Sequence, residues 1–98
     1  DGVPDLLWHN NTTGENRIWL MNNDGTRDSV VNPGTAATDW DVQVVEDFTA
    51  DGVPDLLWHN NTTGENRIWL MNNDGTRDSV VNPGTAATDW DVITNDFT

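Results

Sequence analysis

Residues 1–42 recur without a single change as residues 51–92, so this chain of 98 residues is two copies of one unit set fifty residues apart. Self-similarity at that period means a repeat architecture, because a unit of this size has an apolar face that it buries only against a neighbour. The copies differ at their seams alone, where Gln43-Val44-Val45-Glu46-Asp47-Phe48-Thr49-Ala50 faces the shorter Ile93-Thr94-Asn95-Asp96-Phe97-Thr98. Identity over so long a stretch points to a very recent duplication or an engineered tandem of one chosen unit. It favours assembly over catalysis.

Each unit reads as four short strands. Leu6-Leu7-Trp8-His9 is a bulky run followed by the turn formers of Asn10-Asn11-Thr12-Thr13-Gly14-Glu15. Arg17-Ile18-Trp19-Leu20-Met21 is a second apolar segment, and Asn22-Asn23-Asp24-Gly25 closes it with an Asp-Gly hairpin signal. A third strand spans residues 26–31, broken by Asn32-Pro33-Gly34. A longer connection leads to residues 39–45, where Trp40, Val42 and Val44 alternate with other positions in the period of a half-buried strand. Nothing has helical periodicity.

Four antiparallel strands repeated every fifty residues describe a β-propeller blade in an all-β fold. Two blades per chain cannot close a ring, and the open faces and edges invite another chain. The expectation is a ring closed by oligomerisation, with an even number of blades, a tetramer being preferred to a trimer. The alternative fold is an eight-stranded β-sandwich, which an identical duplication fits poorly because the two sheets of a sandwich play unequal roles.

With no cysteine, disulfides and thiolate metal sites are excluded. A formal charge of −13, from 17 carboxylates against four arginines and no lysine, argues against nucleic acid and anionic membranes as partners. A polyvalent cation is the natural counterweight. The acidity suits a secreted, a halophilic or a solubility-engineered protein alike, so localisation is left open. No apolar run approaches membrane-spanning length and no signal peptide is visible, so a soluble chain is expected.

Across the internal seam runs Asp47-Phe48-Thr49-Ala50-Asp51-Gly52-Val53-Pro54-Asp55, with carboxylates at relative positions one, five and nine around a glycine. Calcium takes six to eight oxygen ligands, and a tight loop of this spacing suits it. Here the chain resembles the FG-GAP and VCBS repeats of integrin-like propellers. The resemblance is carried by Asp47-Phe48, Asp51-Gly52, Asp55-Leu56-Leu57-Trp58, Gly64-Glu65, Ile68-Trp69-Leu70-Met71-Asn72 and Asp89-Trp90, with the same residues in the other copy. It implies a four-stranded blade with a calcium loop between the innermost strand and the next. Asp47, Asp51 and Asp55 would be carboxylate ligands, and Val53 would lend its backbone carbonyl. Thr49 stands where the family has Asn or Asp, and Ala50 replaces a glycine.

The same motif is divided between the two termini, with Asp96 and Thr98 opening it and Asp1, Val3 and Asp5 completing it. Residues 1–50 are then expected to give strands two to four of one blade and the innermost strand of the next. Residues 51–98 repeat the pattern, and their innermost strand, near residues 90–97, would complete the blade of a neighbouring chain by strand addition.

The six tryptophans, Trp8, Trp19, Trp40 and their copies, are expected mainly in packing. Tryptophan beside asparagine also suits sugar stacking, and a carbohydrate-binding propeller with repeated sites between blades is the alternative function, a glycan being its partner. His9 and His59 lack the spacing of a metal site and are expected to satisfy local hydrogen bonds. Arg17, Arg27, Arg67 and Arg77 are expected to pair with carboxylates. No catalytic constellation emerges, so an enzyme is not expected.

Overall fold

The computed structural model describes residues 2–94. Seven strands follow in order: β1 (Leu6–His9), β2 (Asn16–Met21), β3 (Arg27–Val31), β4 (Trp40–Glu46), β5 (Asp55–Asn60), β6 (Asn66–Met71) and β7 (Arg77–Val81). They form two antiparallel sheets, β1-β2-β3 and β4-β5-β6-β7, with no helix among the described residues. Three strands followed by a four-stranded sheet is the order the sequence implies. Residues 90–94 adopt no strand, and the rest of the strand expected near residues 90–97 lies outside the described residues.

Local side-chain chemistry makes the turns. The Asn10 side-chain carbonyl accepts from the N–H groups of Thr12 and Thr13 at 2.8 and 3.1 Å, which tightens the β1–β2 connection. At the next turn Asp24 accepts from the Thr26 N–H at 3.0 Å and from its hydroxyl at 2.6 Å. These two bonds hold the Asp24 carboxyl below its ordinary value, the hydroxyl contributing more. The second copy repeats both arrangements.

Gly14 and Gly64 are fixed by space as well as by conformation. Gly64 has a φ of +78°, and a Cβ there would lie 2.1 Å from the Ala86 carbonyl oxygen. The Ala86 N–H in turn donates to the Gly64 carbonyl at 3.0 Å, tying the connection after β7 to the start of β6. Gly64→Ala is expected to cost about 2–5 kcal/mol, from the left-handed backbone and the backbone clash together. At Gly25, whose φ is +87° with nothing within 4 Å, only the conformational part applies, about 1–2 kcal/mol. Urea unfolding of the two variants reads the difference.

The core lies between the sheets and is asymmetric. Leu56, Trp58, Trp69 and Met71 from one face of the second sheet form a buried cluster, against which Leu7, Ile18 and Ala36 of the first unit pack. Leu7 and Ile18 are cross-strand partners on β1 and β2, whereas Leu56 and Trp69 are partners on β5 and β6, with Trp58 two positions along from Leu56. Side chains one position apart on a strand face opposite ways, so unlike faces of the two copies meet. The His9 ring adds an edge contact to Trp58 at 5.2 Å.

The structure corrects two expectations. Trp40, Val42 and Val44 do not keep a strict alternation: Val42 pairs with Trp58 and Val44 with Leu57, so an extra residue, Gln43, sits in a β-bulge between them. The arginines divide their roles. Arg17 and Arg67 pair with Glu15 and Glu65 at 2.8 Å, but Arg27 and Arg77 lie over the rings of Trp19 and Trp69 at 4.9 and 4.6 Å. A guanidinium over an indole face is attracted by the ring quadrupole, and a flat sheet surface presents that face ready-made.

Candidate metal centre

The acidic loop joins β4 to β5, where the chain must reverse direction within residues 47–54. Asp47 organises the reversal: its Oδ2 accepts from the Gly52 N–H at 2.7 Å and its Oδ1 from the Asp51 N–H at 3.2 Å. The Gly52 N–H foremost holds the Asp47 carboxyl below its usual range, so a carboxylate stands there at neutral pH. Asp51 accepts from the Val53 N–H at 2.9 Å. Asp55 opens β5 and is fully buried, its two oxygens accepting from the Met71 N–H at 2.9 Å and the Phe48 N–H at 3.1 Å. One carboxylate at the start of β5 thus ties the loop to β6.

These bonds bring the three carboxylates together. One oxygen from each of Asp47, Asp51 and Asp55 lies within 4.8 Å of the others. Calcium–oxygen distances of about 2.3–2.6 Å allow ligands on opposite sides of an ion to stand up to roughly 5 Å apart, so the spacing of the three oxygens is within the range a cation of that size spans. The ion pairs of the described residues, Arg17 with Glu15 and Arg67 with Glu65, do not involve the loop. The Thr49 hydroxyl donates to Asp47 at 3.5 Å, a weak neutral contact beside the cluster. Val53 packs against the core, and its N–H is the donor that orients Asp51.

Of the corresponding residues in the other copy, Asp5 accepts from the Met21 N–H at 2.8 Å as Asp55 does from Met71, but it is exposed. Val3 is half-buried. Asp1, Asp96 and Thr98 lie outside the described residues.

Ala50 carries a backbone cost. With φ at +60°, it is the non-glycine residue of positive φ among the described residues. A left-handed conformation costs an alanine about 1–2 kcal/mol, and a glycine loses about 0.5–1 kcal/mol more chain entropy on folding. Ala50→Gly is therefore expected to stabilise the protein by about 0.5–1 kcal/mol, read as a higher urea midpoint at unchanged slope.

Both histidines make the local bonds expected of them. His9 Nδ1 and Asn16 Oδ1 are 2.6 Å apart, and His59 Nδ1 and Asn66 Oδ1 2.8 Å. The partner is what sequence reading missed: Asn16 is fully buried and donates to the Gly34 carbonyl at 3.0 Å, locking the connection after β3 onto the start of β2. Its only mark in the sequence is a polar residue, beside Arg17, ahead of the apolar run Ile18-Trp19-Leu20-Met21.

Two antiparallel sheets made from one repeated unit, with an aspartate loop between the first two strands of the four-stranded sheet, define the class as an all-β repeat with a cation-competent turn. The FG-GAP-like repeat profile matches residues 1–58, more than half of the chain, and the protein belongs to that family. No match was found among curated proteins or among solved structures.

Proposed function

We propose that this chain is a self-assembling β-propeller fragment, whose copies join head to tail into a ring of four-stranded blades with calcium in the acidic loops, a scaffold without catalysis. The observation that carries this reading is the contrast between identical residues. Leu56 and Trp58 are 3% and 1% exposed, whereas Leu6 and Trp8 are 41% and 50% exposed. In the second sheet that face is covered by β4 at its edge and by Leu7, Ile18 and Ala36 of the first unit above it. The first sheet has neither cover among the described residues.

The same chain carries what is missing. Residues 90–92 repeat the Trp-Asp-Val that opens β4, with Trp90 69% exposed and Ile93 83% exposed. The second unit repeats Leu7, Ile18 and Ala36 as Leu57, Ile68 and Ala86, of which Leu57 is already buried and Ile68 and Ala86 are half-buried. A surface and its complement on opposite sides of one molecule make a heterologous contact, which closes into a ring when the rotation per copy permits. Full burial of a leucine-sized side chain stabilises by about 1.5–3 kcal/mol, so several such residues per junction favour association.

The calcium reading rests on the three converging carboxylates and on the family, in which such loops often hold this ion. Bound there, calcium would neutralise the mutual repulsion of Asp47, Asp51 and Asp55 and fix the β4–β5 turn. A carbohydrate site is less favoured. Its best location is a pocket of about 440 Å³ lined by Trp8, His9, Asn10, Glu15, Arg17 and Trp19. In the second sheet the equivalent place is taken by Trp40, opposite Asn60 and under the Arg67 guanidinium at 5.7 Å.

The test is the solution mass of the 98-residue chain by light scattering at micromolar concentration. Three or four chains per particle are expected. Val92→Pro should return the particle to a monomer, since proline removes a ladder N–H and cannot sit within a paired strand. A monomeric parent chain refutes self-assembly.

A further inference from the structure

The sequence after Val92 reaches its next aspartate one residue sooner than the sequence after Val42, and the bulge in β4 shows which residue is extra. Four residues, Gln43 to Glu46, separate Val42 from Asp47, whereas three, Ile93 to Asn95, separate Val92 from Asp96. In β4 the pairing runs Trp40 with Asn60, Asp41 with His59 and Val42 with Trp58, then skips Gln43 and resumes with Val44 on Leu57 and Val45 on Leu56. With one residue fewer, the second strand can place its valine opposite a tryptophan and its aspartate at the start of the loop only if nothing is skipped.

We infer that residues 90–94 of one copy pair with β1 of a second copy in a bulge-free register, with Trp90 opposite Asn10, Val92 opposite Trp8, Ile93 opposite Leu7 and Thr94 opposite Leu6. This rests on the shared-strand reading above and specifies its geometry. The approach is already shaped: Trp90 donates its N–H to the Ala87 carbonyl at 3.0 Å, as Trp40 does to Ala37. The receiving edge offers the groups that hold β4 in the second sheet. There Asn60 donates to Asp39 at 3.2 Å, the Asn61 N–H donates to the Asp39 carbonyl at 2.8 Å, and the Asn61 amide also bonds Asp41. Asn10, Asn11 and Arg17 stand ready to receive Asp89, Asp91 and Trp90 in the same way.

The register decides which side chains are buried at the junction. Ile93 takes the place of Val44 and Thr94 that of Val45. The Thr94 hydroxyl, which donates to Glu46 at 2.6 Å in the isolated chain, gives up that bond to lie over Leu6. A bulge adds local twist, so a junction between copies is flatter at this strand than the corresponding strand within a copy.

Engineered cysteines distinguish the registers, because the chain has none of its own. In the bulge-free register Thr94 and Leu6 share a face directly opposite each other, whereas Thr94 and Leu7 point to opposite faces of the sheet. Full-length L6C/T94C should give disulfide-linked multimers on non-reducing gels after mild oxidation, with loss of that band in L7C/T94C, both variants retaining the parent mass when reduced. Linkage in L7C/T94C alone would show a bulge copied from β4 and overturn the register while leaving shared-strand assembly standing. Linkage in neither, with a multimeric mass, would overturn the register and place the contact on another face. A monomeric parent chain would refute both readings.

Discussion

Trp58→Ala should destabilise the protein by about 3–5 kcal/mol, the range for deleting a large aromatic from a packed core, while Trp8→Ala should cost the isolated chain far less. The two residues have identical neighbours in sequence. Trp58 is enclosed by β4, by Trp69 at 4.9 Å between ring centroids and by residues of the first unit. Trp8 keeps the matching contact to Trp19, at 5.1 Å, but is 50% exposed. Truncating Trp58 leaves a cavity that its surroundings cannot collapse into, whereas truncating Trp8 removes a side chain that water already reaches. If assembly buries Trp8, its replacement should instead appear as a weaker association, a concentration-dependent fall in particle mass. Urea unfolding at dilutions that favour single chains, beside light scattering at higher concentration, separates the two costs. Equal losses for both variants in the isolated chain would contradict the one-sided burial.

Asp55→Ala should have the second large effect, about 2–4 kcal/mol without calcium, because it strips the acceptor from the Met71 and Phe48 N–H groups at a buried position. It should also abolish the response to the ion. In the parent chain calcium at a hundredfold excess over its dissociation constant should add about 2.7 kcal/mol per site, since only the folded loop gathers the three carboxylates. Asp55→Asn separates the two roles: it retains an acceptor for one N–H, so most of the ion-free stability survives while the calcium-dependent rise in Tm is lost. Thr49→Ala should change that rise little, because its hydroxyl offers a neutral contact to Asp47 and no charge. A Tm indifferent to calcium and to chelator in the parent chain would leave Asp47, Asp51 and Asp55 as turn formers.

Much of this was legible in the sequence because it depends on neighbours along the chain. The strands follow from short apolar runs bounded by Asn, Asp, Gly and Thr, whose side chains close the turns through bonds spanning two to five residues. The acidic loop is equally local, since Asp47 reaches the N–H groups of Asp51 and Gly52 within its own turn. Even the strand order, three and then four, follows from the spacing of the units.

What the tertiary structure decided is everything that depends on a partner from elsewhere. Gln43 reads as one more polar position in an alternating strand, and only pairing with β5 makes it the residue that is skipped. Arg27 and Arg77 lie over indole rings because a strand alignment set them there, a choice no carboxylate count reveals. Asn16 and Asn66 make the same bond eighteen residues along the chain, to Gly34 and Gly84, yet Asn16 is fully buried and Asn66 only half-buried. The repeat itself gives the plainest case. Leu6 and Leu56, Trp8 and Trp58, Asp5 and Asp55 are the same residues in the same local sequence, yet the second of each pair is buried and the first exposed. Sequence determined which face of the unit is apolar; whether that face meets a neighbour or water was decided by tertiary packing, because burial is a property of the surroundings a residue is given.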